Sequence, residues 1–185
     1  LHTQAIVHTE IDRLRHAGIQ DINVDLIAGL PHQTLESWHI SLDQAIATGV
    51  PHLSVYMLDV DEDSRLGREM LAEGPRYGAA QVPDEQEIAA MYGEACEQFA
   101  TAGIAQYEIS NFARAGHESR HNLKYWTRQP YLGFGVDAHS FLHTHDGNAV
   151  RVGTTEDLAA YLGGNEPETI TPVSATEAIE ESWFL

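Results

Sequence analysis

Between Gly18 and Pro31 the chain reads Gly-Ile-Gln-Asp-Ile-Asn-Val-Asp-Leu-Ile-Ala-Gly-Leu-Pro, and this stretch constrains the fold more than any other. A mainly apolar run closed by Gly and Pro is how a strand buried on both faces reads, which predicts a central strand of a parallel sheet. Asp25 stands inside that run. A carboxylate there is costly unless something satisfies it, so Asp25 is either bonded to backbone amides or an arginine, or it serves a ligand. Gly29-Leu30-Pro31 then breaks the strand and Thr34 offers an N-cap. The strand therefore opens onto a helix N-terminus at the end where parallel α/β sheets bind ligands.

The flanking segments repeat one rhythm. Val7, Ile11 and Leu14 at helical spacing predict a helix over 4–17, closed by Gly18. Leu35, Trp38, Leu42, Ala45 and Ile46 predict a second over 34–48, stopped by Gly49 and Pro51. Leu53 to Leu58 reads as another buried strand, and strand, helix and strand at this spacing form a right-handed βαβ unit. Of the acidic run Asp59-Val60-Asp61-Glu62-Asp63, a solvated loop, only Asp59 lies close enough to the strand end to be a site candidate. A short helix near 64–72 follows. Asp84 and Glu87 then form a capping-box start to a helix with Ile88, Met91, Ala95, Phe99 and Ala102 on its core face. Cys96 within it reads as a small hydrophobe. Ile104 to Ile109 reads as a third strand of a parallel sheet, open or closed.

Composition removes several partners. The 185 residues, 43% of them hydrophobic, are enough for one sizeable core. Ten Lys and Arg against 28 Asp and Glu give a net charge of -18, which repels phosphate backbones and anionic lipid. Nucleic acid and membrane are thus poor partners. One cysteine cannot form an internal disulfide, and no apolar run approaches the roughly 20 residues that cross a bilayer, so a cytoplasmic protein is the simplest expectation. A start at Leu1 and an amphipathic, uncapped end over Ile179 to Leu185 suggest a piece of a longer protein.

From Ser110 the periodicity stops and hydrogen-bonding and aromatic residues concentrate up to Trp126, which reads as a long functional loop. His117 and His121, with Tyr125 and Trp126, have the chemistry to ligate a metal or cradle a flat aromatic ligand. A helical turn starting at His121 would set Tyr125 beside the imidazole. Gly133-x-Gly135 permits close backbone approach, but no helix pattern follows it, so a dinucleotide fingerprint is rejected. A short strand near 150–152, a helix near 155–162 and a last helix from about Ser174 read as an annex.

Four ordered motifs carry a resemblance. Asp25-Leu-Ile-Ala-Gly-Leu-Pro-x-Gln33-Thr34, Tyr107-Glu-Ile-Ser-Asn-Phe-Ala-Arg114, His121-Asn-x-x-Tyr125-Trp126 and Gly133-x-Gly-x-x-Ala-His139-Ser140 resemble the radical S-adenosylmethionine haem chaperones of the HemW type. These in turn resemble oxygen-independent coproporphyrinogen III oxidase, an oxidoreductase of porphyrin biosynthesis and the alternative reading; a non-catalytic α/β ligand-binding module is a third. The His-Asn-x-x-Tyr-Trp motif favours the chaperone. The resemblance implies the C-terminal half of a radical S-adenosylmethionine partial (β/α)6 TIM-like barrel over 1–115, with a loop and small α/β annex over 116–185 leading to a further domain. It implies S-adenosylmethionine, a 4Fe-4S cluster and haem as cofactors, and a haem-accepting protein as a partner. It makes Asp25 the S-adenosylmethionine-binding acid, brings Asp59 and His139 near the cosubstrate, and gives His121, Asn122, Tyr125 and Trp126 to haem, with His121 toward iron. The family's CxxxCxxC motif is absent, and Cys96 alone cannot replace it, so cluster ligands and the Gly-Gly strand that cradles the cosubstrate are expected upstream of Leu1. The fragment by itself is therefore not expected to perform radical chemistry.

Overall fold

The computed structural model describes residues 3–164 and 169–184, and the described residues divide after Glu118 into two compact units. Leu185, the last residue of the amphipathic end, lies outside them. In the first unit helix α1 (Gln4–His16) leads into strand β1 (Asn23–Ala28), helix α2 (Leu35–Ala47) and strand β2 (His52–Met57). A short helix α3 (Arg65–Leu71) and a 3-10 turn (Arg76–Gln81) precede the long helix α4 (Glu85–Thr101), and strands β3 (Ala105–Gln106) and β4 (Asn111–Ala113) follow.

Local chemistry sets these boundaries. Thr34 and Ser37 cap α2 reciprocally, and Asp84 and Glu87 do the same for α4. Gln33 staples the turn between β1 and α2: its carbonyl accepts from Gly29 and Leu30 N–H at 2.6 and 3.1 Å, and its amide donates to Ile27 O at 3.2 Å. Gly29 sits at φ 94°, where a Cβ would lie 2.7 Å from Ile88 Cδ1. Much of the motif that follows Asp25 is therefore turn chemistry.

The sheet runs β1-β2-β4-β3. Strands β1 and β2 pair in parallel from Asn23 opposite His52 to Ala28 opposite Met57, as the βαβ spacing predicts. Two expectations fail. Among the described residues strand β1 lies at the edge of the sheet, and Asp25 is exposed, not buried. The apolar residues of that run are shared unequally: Val24 and Leu26 pack on the core, while Ile27 is 42% exposed. The third strand is not a six-residue parallel strand either. Only Ala105–Gln106 is extended, and it pairs antiparallel with β4, which lies between it and β2 and is antiparallel to both. Helices α2 and α4 cover one sheet face with Trp38, Leu42, Met91, Ala95 and Phe99 against Leu53, Val55 and Phe112. Trp38 Nε1–H donates to Met91 O at 2.7 Å within this core.

The second unit holds helix α5 (Arg120–Trp126), the antiparallel sheet β5 (His139–His143), β6 (Ala149–Gly153) and β7 (Thr169–Pro172), and helices α6 (Leu158–Gly163) and α7 (Ala175–Phe184). The stretch expected to be a loop up to Trp126 thus contains β4 and α5. What reads as one short annex strand near 150–152 is the middle of three.

Candidate functional site

The sheet face away from the helices is polar. Alternation along β1 and β2 puts Asn23 and Asp25 beside His52 and Ser54, and β4 adds Asn111 opposite Ser54. Their hydrogen bonds have one consistent direction. A carboxylate only accepts, so the contact of 2.6 Å between Asp25 Oδ1 and the Asn23 side chain must be Nδ2–H donating. That turns Asn23 Oδ1 toward His52 Nδ1 at 2.7 Å, and since a carbonyl only accepts, Nδ1 carries the imidazole proton. His52 Nε2 is then the acceptor for the Tyr107 hydroxyl at 2.7 Å. Ser54 Oγ receives Asn23 Nδ2–H at 3.0 Å and donates to Asn111 Oδ1 at 2.7 Å. Burial pushes the His52 imidazole below the usual histidine range, against the opposing pull of the Asp25, Glu108 and Glu118 carboxylates, which agrees with a neutral ring. Asp25 Oδ2 takes no bond among the described residues.

In the second unit Ser119 caps α5, accepting from Asn122 N–H, and the helix sets His121 and Tyr125 one turn apart. Their rings meet edge-to-face with centroids 5.1 Å apart, and the Tyr125 hydroxyl lies 3.2 Å from His121 Nε2, the arrangement that the i, i+4 spacing predicts. Tyr125 leans on Tyr131 at 4.4 Å, and Tyr131 stacks near Phe141 at 6.3 Å. These three rings line a cavity of about 460 Å³. Arg128 and Arg151 place their guanidinium groups 5.6 and 5.9 Å from the Phe141 centroid, and both pair with Glu181. Burial pushes the Tyr131 phenol above its ordinary range, so it is neutral near pH 7. Asn122 and Trp126 are half-buried on the same helix.

The other candidates are placed differently. His117 bonds the Asp21 carboxylate at 2.7 Å, so it is engaged within the first unit. Asp59 is exposed just beyond β2. His139 is exposed at the start of β5, 3.8 Å from Asp137. Its backbone explains part of the glycine motif, because a Cβ on Gly133 would lie 2.3 Å from His139 O. Arg114 donates to Ala102 O and Arg128 is committed to Glu181 and Ala178 O, so they do not stand as free cations for a substrate. No group of three or more His, Cys, Asp or Glu among the described residues can hold a metal ion, and Cys96 is the chain's one thiol. The donor set therefore does not fit a 4Fe-4S cluster. Sequence reading missed Asn23, His52 and Ser54 as site residues, although polar residues at period two inside apolar strands were a usable signal. It also missed Tyr131, Phe141 and Arg151, which only the sheet of the second unit brings together.

Comparison with known proteins bears on both units. No family model matches the chain. The haem chaperone HemW of Bacillus subtilis (strain 168) is 38% identical over 186 residues, covering 100% of this chain and 48% of that protein. HemW of Synechocystis is 32% identical over 189 residues, covering 100% and 44%, and HemW of Escherichia coli (strain K12) is 31% identical over 160 residues, covering 86% and 40%. The chain thus spans about half the length of the curated relatives it matches. Among solved structures, the coproporphyrinogen III oxidase HemN of Escherichia coli, described as a radical SAM enzyme, superposes with a TM-score of 0.74 over 99% of this chain and 44% of that one, at 17% identity. The class is therefore an α/β chain with the fold seen in a radical S-adenosylmethionine oxidase. Within that class the sequence is HemW-like, as its four motifs indicated.

Proposed function

We propose that this chain serves a haem chaperone of the HemW type, its second unit contacting haem and its first contributing to an S-adenosylmethionine site in a partial (β/α) barrel, in the cytoplasm. The observation that carries the reading is the His121–Tyr125 pair, whose tyrosine lines an aromatic cavity. An exposed imidazole offers a nitrogen lone pair to iron, and the rings of Tyr125 and Tyr131, backed by the buried Phe141, offer apolar surface to a planar macrocycle. Asn122 and Trp126, on the same turn, are assigned to the same contact. Haem supplies the iron and the flat apolar surface; the chain supplies an axial donor and stacking.

Asp25 is assigned to S-adenosylmethionine. Its Oδ1 is held by Asn23, which leaves Oδ2 to accept from a hydroxyl or ammonium group. Asp59 lies past the C-terminal end of the adjacent strand and is proposed to face the same ligand; His139 keeps only its motif position in favour of such a role. A 4Fe-4S cluster would need thiolate donors other than Cys96.

A haem titration of His121→Ala tests the reading. As an iron ligand, its loss shifts or abolishes the haem absorption band while circular dichroism is unchanged. An unshifted spectrum with normal affinity refutes the assignment. The oxidase alternative is separated by adding coproporphyrinogen to the full-length, cluster-reconstituted protein and looking for vinyl products.

A further inference from the structure

The polar sheet face does more than surround Asp25. Asn23 touches Asp25 with a donor only because its amide is turned that way, and an amide can turn by 180° at little steric cost. If it did, Oδ1 would face Asp25 Oδ1 at the present 2.6 Å, acceptor against acceptor. What prevents the turn is His52. Its Nδ1–H, 2.7 Å from Asn23 Oδ1, can be met only by an acceptor. The Tyr107 hydroxyl at Nε2, able to donate as well as to accept, meets that tautomer by donating. His52 is 8% exposed and Ser54 1%, so water does not readily substitute for these partners. Three segments far apart in sequence thus converge on the orientation of one amide.

We propose that Asn23 and His52 are positioning residues for ligand binding at Asp25: the directed chain from Tyr107 through His52 and Asn23 presets the carboxylate, with Oδ2 presented to a hydroxyl or ammonium donor. This rests on the reading that Asp25 binds S-adenosylmethionine. Neither residue needs to touch the ligand. Asp25, Glu108, Glu118 and the Tyr107 phenol are the ionisable groups around the imidazole; the three carboxylates pull it toward the charged form and burial, the larger effect, holds it neutral.

The test has two parts on the full-length protein. First, nitrogen-15 NMR at pH 7.5 reads the His52 tautomer directly; Nδ1 should appear protonated and Nε2 unprotonated, and the opposite pattern overturns the proposal without any ligand. Second, S-adenosylmethionine affinity is measured by calorimetry. Asn23→Ala and His52→Leu should each weaken binding about two- to tenfold, the loss of one oriented hydrogen bond. His52→Asn, whose side-chain amide can replace Nδ1–H alone, should recover most of it. If His52→Leu melts early, Asn23→Ala carries the test, since Asn23 is exposed and its loss leaves the core intact. Unchanged affinity in Asn23→Ala, or no recovery in a folded His52→Asn, refutes the positioning role. Asp25→Ala separates the two claims: if it leaves affinity unchanged, the Asp25 assignment itself fails, whereas a loss there with none in Asn23→Ala sinks only the relay.

Discussion

Tyr125 does two opposed things at the proposed haem contact, and substitution can separate them. Its hydroxyl lies 3.2 Å from His121 Nε2, long for such a bond, and both side chains are exposed, so the bond contributes about 0.5 kcal/mol net. A haem iron bound at Nε2 would have to displace the hydroxyl, whichever of the two groups carries the shared proton. Tyr125→Phe removes the competitor and should raise haem affinity about twofold. The ring, 4.4 Å from Tyr131, is kept. Tyr125→Ala removes the ring as well; an aromatic contact is worth about 0.5–1.5 kcal/mol, so the net effect there is a loss of up to about tenfold. The assay is a haem titration of the wild type and both variants against one haem stock, followed by absorbance, with circular dichroism as the control for folding. The opposite signs are the point. A folded Phe variant that binds haem no better than wild type would refute competition at Nε2, and an Ala variant that binds better than Phe would remove the stacking surface.

Other expectations concern the scaffold. Trp38→Phe takes an indole N–H from Met91 O in a site 1% exposed, so urea unfolding should show a loss of about 1–3 kcal/mol; a loss under about 0.5 would mean that the core refills without cost. Gly29→Ala forces a Cβ to within 2.7 Å of Ile88 Cδ1 at a positive φ and should lower stability by about 1–2 kcal/mol, read as a melting shift of several degrees; an unchanged melting temperature refutes it. His52 makes stability depend on pH. Its folded pKa lies below the unfolded value of 6.5, so the unfolded chain binds more protons in the window between them. The stability from the neutral ring is complete above pH 6.5 and is lost as pH falls through that window. Between pH 7.5 and 5.5 the wild type should therefore lose more unfolding free energy than His52→Asn, and equal losses would show that the imidazole is not held neutral.

What was legible in the sequence was what short-range chemistry decides. The Thr34 N-cap, the Asp84–Glu87 capping box, the parallel βαβ unit and the His121–Tyr125 contact all depend on residues a few positions apart or on one crossover. Strand position was not legible. A run such as Val24 to Ala28 reads as apolar whether a sheet neighbour flanks it on one side or two, and only the strand order of the described residues puts β1 at an edge. Ile104 to Ile109 misled for a related reason: its apolar content suits a strand, but β4 turns back along β2 and limits the extended part to two residues. The aromatic cavity was half legible, since Tyr125 announced itself while Tyr131, Phe141 and Arg151 came together through the β5–β6 pairing.

The correction at Asp25 alters the physical account of its role rather than removing it. A carboxylate buried in a strand would advertise a ligand by its cost, because only a partner could offset its desolvation. An exposed carboxylate has water as a partner, so exposure alone cannot separate Asp25 from the other acids among the 28 Asp and Glu of the chain. Nor does a single hydrogen bond, since Asp84, Asp157 and Glu177 also have an oxygen held. What marks Asp25 is that its partner Asn23 is itself oriented, by His52 and Ser54, so less freedom is lost when Asp25 binds. Selectivity at such a site comes from a preset acceptor direction, and it follows that the residues to vary first are those that never meet the ligand.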